Sequence, residues 1–307
     1  MEDFARLNSF GRRRRALFRR PPTGDWPVFS FAVIWTLGVL VPMAGVLLFS
    51  FIRAHAEGIS FSLTLEAYRE IFTTGRWEVT ARTIRIAATV TAILLLVSFP
   101  FALWLAKGVR SPSVKLVVWT LLTAPFFLSD TARVVVWRPV LGLMGPINSG
   151  LMAIGAIDRP LTWLLFSEPA VHFGLIGPFL PNMVWPIFLS IALIDDELVE
   201  ASKDIGASPW QTLRHVVLPL AMPGIVAGIV FTFVPMLGDD VVAKIIGGQQ
   251  VVMLGGAMLD LITALNYSVA AAMSAFILLI VAVLQMLLVL ILRRVGSGAA
   301  LVEGLRR

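Results

Sequence analysis

Six runs of apolar residues, each long enough to cross a bilayer, constrain this chain more than any other feature of it. A helix rises about 1.5 Å per residue and a hydrocarbon core is about 30 Å thick, so roughly 20 apolar residues are needed per crossing. The runs 28–52, 83–106, 114–137, 172–194, 216–237 and 269–292 meet that requirement. Composition agrees: 58% of the 307 residues are hydrophobic and 14% are charged, with a mean hydropathy of +0.86. Soluble domains carry about a quarter charged residues. The expected fold is therefore an all-α, polytopic membrane protein with six transmembrane helices over 28–292, flanked by basic tails at 1–27 and 293–307.

The net charge of +6 does not point to nucleic acid, because the basic residues lie where topology signals lie. Arg12 to Arg15, Arg19, Arg20, Arg293, Arg294, Arg306 and Arg307 are all outside the apolar runs. The first run follows a basic segment but is too long for a cleavable leader, so it is expected to remain as an anchor. With the N-terminus inside, 16 of the 25 Lys and Arg fall in inner segments, which places both termini in the cytoplasm. The chain has no cysteine, which removes disulfides, thiolate metal sites and cysteine nucleophiles. Its three histidines, His55, His172 and His215, have no ligand-like spacing, so no metal site is expected.

Between the runs, a polar segment over 53–80 contains a short amphipathic pattern at 64–72. The connection 138–171 is rich in Gly and Pro, and its portion 141–157 reads as a re-entrant or interfacial piece. The fourth run carries Pro178, Pro181 and Pro186, so a kinked helix is expected there. Within the glycine-rich connection 238–268, residues 251–265 are expected to form a short helix at the outer surface. No internal repeat divides the chain.

The polar island 195–223 lies between the fourth and fifth runs, on the cytoplasmic side by the charge count. Its acidic residues Asp195, Asp196, Glu197 and Glu200 suit the start of a helix, where the dipole favours negative charge. Small residues, Ala201, Ser202 and Gly206, would let another protein's backbone approach closely. Ser208 and Pro209 then read as the N-cap and first position of a second helix, giving a helix-turn-helix elbow that enters the fifth run at Leu218-Pro219. A loop that merely solubilises a hairpin would have no need of this spacing.

The island reads Glu200-Ala201-Ser202, three residues, Gly206, nine residues, Val216, one residue, Leu218-Pro219. This resembles the EAA signature of ABC importer permeases, with Ser202 in place of the second alanine and Val216 in place of isoleucine. The segments 133–155 and 237–248 are similar to the spermidine/putrescine branch of that family. The resemblance implies a type I importer permease fold in a bacterial cytoplasmic (inner) membrane. It also implies partners: a cytoplasmic ATPase dimer that binds ATP and Mg, a second homologous permease subunit and an extracytoplasmic solute-binding protein. On this reading Glu200, Ala201, Ser202, Asp204, Gly206, Ala207, Leu218 and Pro219 couple the chain to the ATPase. The chain has no GxxxxGK[ST] phosphate loop, so it is expected to be no enzyme by itself and to bind no cofactor.

Ionisable residues in or beside hydrocarbon are default candidates for a transport path, which singles out Asp130 in the third run and Asp239, Asp240 and Asp260 near the outer side. Carboxylates would suit a cationic amine, and Trp137 could add a cation-π contact. The competing explanations are ordinary ones. Asp130 can pair with Arg133 on its own helix, Asp239 and Asp240 can sit exposed at a loop tip, and Trp104, Trp137, Trp163 and Trp185 can mark the bilayer interface. Lys244 and Arg138 would repel a cation if they faced the same path. The other functional class in view is an ion-coupled secondary transporter using Asp130 and Asp260, a class in which internal repeats are usual.

Overall fold

A computed structural model describes residues 26–55, 58–248 and 250–294. The basic tails expected at either end, including Arg12 to Arg15, Arg19, Arg20, Arg306 and Arg307, lie outside the described residues. The chain divides into two compact units, 1–48 and 49–307. In the first, α1 (Trp26–Phe49) is a helix without charged residues and with Pro42 inside it; none of its residues is buried.

The second unit opens with an antiparallel hairpin, β1 (Ile52–His55) and β2 (Gly58–Leu63), in which Arg53 pairs with Ser60 and His55 with Gly58. No strand was expected there, although Ile59, Phe61 and Leu63 alternate with Ser60 and Ser62 at the period of a strand. Helix α2 (Glu66–Thr73) follows and realises the amphipathic pattern, burying Ala67 and Ile71. Helix α3 (Arg76–Leu103) runs on through a π turn, Trp104–Gly108. Its buried face, which includes Ile86, Val90 and Leu94, joins the main core.

The third apolar run does not form the straight span expected over 114–137. Helix α4 (Pro112–Thr123) tightens into a 3-10 turn, Ala124–Phe127, and a new helix, α5 (Asp130–Val135), starts after Ser129. The segments Pro112–Phe127 and Asp130–Ala153 meet at 110°. The cause is local. Ser129 adopts an extended conformation and its hydroxyl accepts a hydrogen bond from the Ala132 N–H at 3.2 Å, an N-cap that begins a helix instead of continuing one. Short helices α6 (Trp137–Leu141) and α7 (Pro146–Ala153) complete the bent segment, consistent with the re-entrant piece expected there.

Helix α8 (Glu168–Ala192) is continuous and contains Pro178, Pro181 and Pro186. The island folds as α9 (Asp196–Asp204) and α10 (Pro209–Thr212), then a π turn, Leu213–Val217, leads into α11 (Leu218–Leu237). A further π turn, Ala243–Gly247, precedes α12 (Leu254–Thr263), the short helix expected in that connection, and α13 (Tyr267–Arg294) is the last long helix. Among the described residues five helices are thus long and apolar enough to cross a membrane, and the bent pair makes a sixth crossing if taken as one.

The core lies where α3, α8 and α11 pack together. Helices α8 and α11 cross at glycine: a Cβ on Gly224 would stand 2.4 Å from the Pro186 carbonyl oxygen and from the Ser190 Cβ. No other side chain fits that crossing. At the opposite end from the island, Arg85 on α3 bonds both carboxylate oxygens of Glu168 on α8, at 2.8 and 2.7 Å. One turn along, Thr89 and His172 are 2.8 Å apart. Since both contacts link residues near the N-terminal halves of α3 and α8, these two helices run parallel.

Candidate functional site

The island is built from its capping chemistry. Helix α9 has Asp196 and Glu197 in its first turn and Lys203 in its last, the arrangement its dipole favours. It ends at Gly206, whose φ is +82°, with the Gly206 N–H donating to Lys203 O at 2.8 Å and the Ala207 N–H to Ser202 O at 3.1 Å. These are the paired bonds of a Schellman cap, and the left-handed residue at that position is ordinarily glycine. Nothing lies within 4 Å of a Cβ placed on Gly206, so its backbone conformation alone accounts for the glycine. Two residues on, the Ser208 hydroxyl accepts from the Gln211 N–H at 3.3 Å while the Gln211 side-chain oxygen accepts from the Ser208 N–H at 2.8 Å. This reciprocal capping box starts α10 with Pro209 at its first position, as the sequence pattern predicts.

Ser202 has a different place from the one expected. Its side chain is buried, donates to Val199 O at 2.8 Å and lies 2.8 Å from the Thr212 hydroxyl. It therefore faces inward and fastens α9 to α10, and it is not available to a neighbouring backbone. Glu200, Ala201 and Asp204 are exposed, Ala207 and Pro219 are half-buried, and Leu218 is 37% exposed. The elbow also displays three large apolar side chains in an otherwise polar setting: Leu198 at 49%, Ile205 at 86% and Trp210 at 67% exposure. Each lies in a polar or small-residue segment, so no apolar run marks it in the sequence.

A second constellation forms further along α8 and α11. Asp130, Arg133, Asn182, Asp239 and Asp240 line a cleft of about 280 Å³, together with Phe126, Pro178, Phe179 and Pro235. The bend at Ser129 is what turns Asp130 into it. Arg133 is held there by Asp130, three residues back, and by the Pro178 carbonyl at 3.4 Å. So the ordinary explanation for Asp130, a partner on its own helix, holds for its ion pair, while Asp130 also lines the cleft. Asp239 and Asp240 are partly buried, not exposed at a loop tip, because the Asp239 carboxylate accepts the Val242 N–H at 3.0 Å and ties the loop down as a turn.

Asp239 lies two residues beyond the end of α11, and its pKa is pushed up to about 6. Burial is the main cause, with the charges of Asp240 and Asp130 adding to it against the lowering effect of its hydrogen bond from Val242. Asp240 is 3.4 Å from Lys244, which is therefore spent on a neighbour four residues away. Arg138 lies over the Phe166 ring, 5.7 Å from its centroid, and does not line the cleft.

An apolar hollow of about 590 Å³ adjoins the cleft and shares Phe126, Asn182 and Pro235 with it. Its other walls are Thr123, Trp185, Pro186 and Phe231. The Trp185 indole N–H is buried there with no hydrogen-bond partner among the described residues. Asn182 donates to Phe231 O at 3.1 Å and pins α8 to α11 where the two spaces meet. Asn182 was not singled out by the sequence, since no spacing rule marks a lone amide in an apolar helix, and Arg133 was expected only as a partner for Asp130. Asp260 is exposed on α12, outside the cleft, and Trp137 packs edge-to-face on Phe173 at 5.0 Å, so the structure does not bring either to the other candidates. No group of three potential metal ligands occurs among the described residues.

Comparisons with known proteins bear on both features. The chain is 30% identical over 259 residues to the spermidine/putrescine transport system permease protein PotB of Haemophilus influenzae, covering 84% of this chain and 88% of that one. It is 32% identical over 206 residues to PotB of Escherichia coli K12, covering 67% and 74%. Among solved structures, a bacterial ABC transporter involved in the import of the acidic polysaccharide alginate has the same fold, with a TM-score of 0.63 at 21% identity over 88% of this chain and 96% of that one. The family described as binding-protein-dependent transport system inner membrane component matches residues 98–298, a segment that contains both the elbow and the cleft. The chain belongs to that family and is a multi-pass permease of the inner membrane.

Proposed function

We propose that the chain is the membrane-spanning subunit of an ATP-driven importer of small organic cations of the polyamine type. The observation that carries the cargo assignment is the convergence of Asp130, Asp239 and Asp240 on one cleft, where Arg133 pairs with Asp130 and Lys244 with Asp240 and no cation pairs with Asp239 among the described residues. Formal charge there is negative, so an ammonium group would be attracted. The neighbouring apolar hollow suits the methylene stem between two amines. PotB, whose name carries spermidine and putrescine, supports the same reading.

In this mechanism the elbow lies in the cytoplasm against an ATPase that the chain itself does not supply. Closure of an ATPase dimer pushes on the exposed face of α9 and α10, where Glu200, Ala201, Asp204, Ile205 and Trp210 are presented. Helices α8 and α11 carry the displacement to the cleft, which then switches the side it opens to. A second homologous permease subunit completes the pathway and an extracytoplasmic binding protein delivers the cargo.

The test is uptake of radiolabelled putrescine by proteoliposomes holding the chain, its permease partner and its ATPase, with loaded binding protein added. ATP-dependent uptake is expected, with Asp239→Asn raising the apparent KM about tenfold. Uptake by the chain alone under an ion gradient would overturn the reading in favour of a secondary transporter. A complex that moves neutral solutes as well as putrescine, and ignores Asp130→Asn and Asp239→Asn, would overturn the cation assignment.

A further inference from the structure

Two of the long helices leave and enter the elbow directly, α8 at its start and α11 at its end, whereas α3 has no covalent link to it. A side chain supplies a noncovalent one. Lys107 lies in the π turn that ends α3, and its Nζ donates to the Ile194 carbonyl at 2.5 Å and to Asp196 Oδ1 at 2.6 Å. Ile194 belongs to the short hinge between α8 and α9, while Asp196 is the first residue of α9. One ammonium therefore holds both sides of the hinge. The anchor behind it is firm, since Leu105 is 1% and Ala102 0% exposed. The Lys107 side chain is itself 23% exposed, and Asp196 ionises more readily than an ordinary carboxyl because of the Lys107 hydrogen bond and charge.

The pairing would be a local surface contact if α3 and α8 were otherwise free of each other, but they are also fastened at the far end. The Arg85 to Glu168 bridge and the Thr89 to His172 contact join the same two helices in the same parallel sense. The pair is pinned above and below a shared core.

We infer that Lys107 is a positioning residue that makes α3 a third lever of the transporter, by binding the inner end of α3 to the hinge and to the first residue of the elbow. This rests on the reading of the chain as an ATP-driven permease subunit. A push on the elbow then moves α3 and α8 together, and the hinge between α8 and α9 cannot absorb the stroke by bending. Without the latch, part of each stroke is lost in the hinge and nucleotide hydrolysis is no longer matched by uptake.

The chain has no cysteine, so spin labels attach only where thiols are introduced. Labels on Arg110→Cys, just past α3, and Glu197→Cys, on α9, report the separation of lever and elbow by pulsed electron resonance in the assembled complex. The expected result is one narrow distance that is the same without nucleotide and with ADP trapped by vanadate after hydrolysis. Lys107→Met is expected to make the two states differ, and to lower the ratio of putrescine uptake to ATP hydrolysis about tenfold. Lys107→Arg, which can still donate to both the Ile194 carbonyl and Asp196, should retain the ratio, which a loss of folding would not do. A distance that already changes between the two states with Lys107 present overturns the inference, as does a Lys107→Met chain with unchanged distance and ratio. A chain that recruits no ATPase overturns the functional reading and this inference together. One that imports putrescine while lever and elbow move independently overturns this inference alone.

Discussion

Single residues in this chain do work that their type alone would not reveal. Gly206 stands with φ at +82° in open surroundings, so replacing it costs conformational strain and no collision. A side chain in that left-handed region costs about 1–2 kcal/mol, and asparagine tolerates it best. Gly206→Val should therefore lower the melting temperature of the purified chain more than Gly206→Asn, a ranking that thermal unfolding followed by dye binding would check. Asp239 makes a prediction in pH. Its pKa rises from 3.8 to about 6 on folding, so between those values the native chain holds more protons than the unfolded one. The stability this group contributes is full below pH 3.8 and is lost as pH rises through about 6. Asp239→Asn should flatten that part of the profile. Cation binding has the opposite sense, since an ammonium favours the ionised carboxylate: affinity for putrescine should fall as pH drops below about 6, and the asparagine variant should show neither trend.

At the scale of elements, hydropathy located the helices and capping chemistry shaped them. The fourth, fifth and sixth apolar runs became α8, α11 and α13, and Pro178, Pro181, Pro186, Pro223 and Pro235 lie inside the first two of these helices without ending them. A π turn, Leu213–Val217, precedes Pro219, whose ring would otherwise press on the carbonyl of His215. The third run failed as a span because Ser129-Asp130 is a helix start written inside an apolar stretch, a signal that a hydropathy window averages away. That bend is also what makes the cleft. Ser129→Ala removes the cap, at about 1 kcal/mol, and should weaken putrescine binding without touching a lining residue, as equilibrium dialysis would show. The α8–α11 crossing was equally hidden, because Gly224 in an apolar run looks like any other small residue. Gly224→Val places atoms where Pro186 and Ser190 already stand, and overpacking of this kind costs about 1–3 kcal/mol. It should reduce the thermal stability of the chain by more than Gly206→Asn does.

At the scale of the whole molecule, the elbow was legible from spacing and the cleft was not, because the elbow is contiguous in sequence while the cleft assembles α5, α8 and the loop after α11. Only its three aspartates could be suspected in advance; their meeting depends on the bend at Ser129 and on the turn that buries Asp239. The two features lie on the same pair of helices. From Asn182 or Pro178 to the end of α8 at Ala192 is about 15–20 Å at the rise of a helix, beyond the range at which substitutions interact directly. Any coupling between them has to pass through a shared change of state, and such coupling is reciprocal. Trp210, 67% exposed on the elbow, is the side chain best suited to anchor an ATPase, and its loss should cost about 2 kcal/mol, roughly 30-fold in ATPase affinity. Asp239→Asn should leave the affinity for the ATPase without cargo as it is. If the helices carry the signal, the factor by which cargo tightens ATPase binding must equal the factor by which the ATPase tightens cargo binding. Both factors should fall together, by the same amount, in Asp239→Asn. Titrating the assembled complex in each direction measures the two factors separately, and values of one in both directions would mean that the cleft and the elbow belong to no common two-state change.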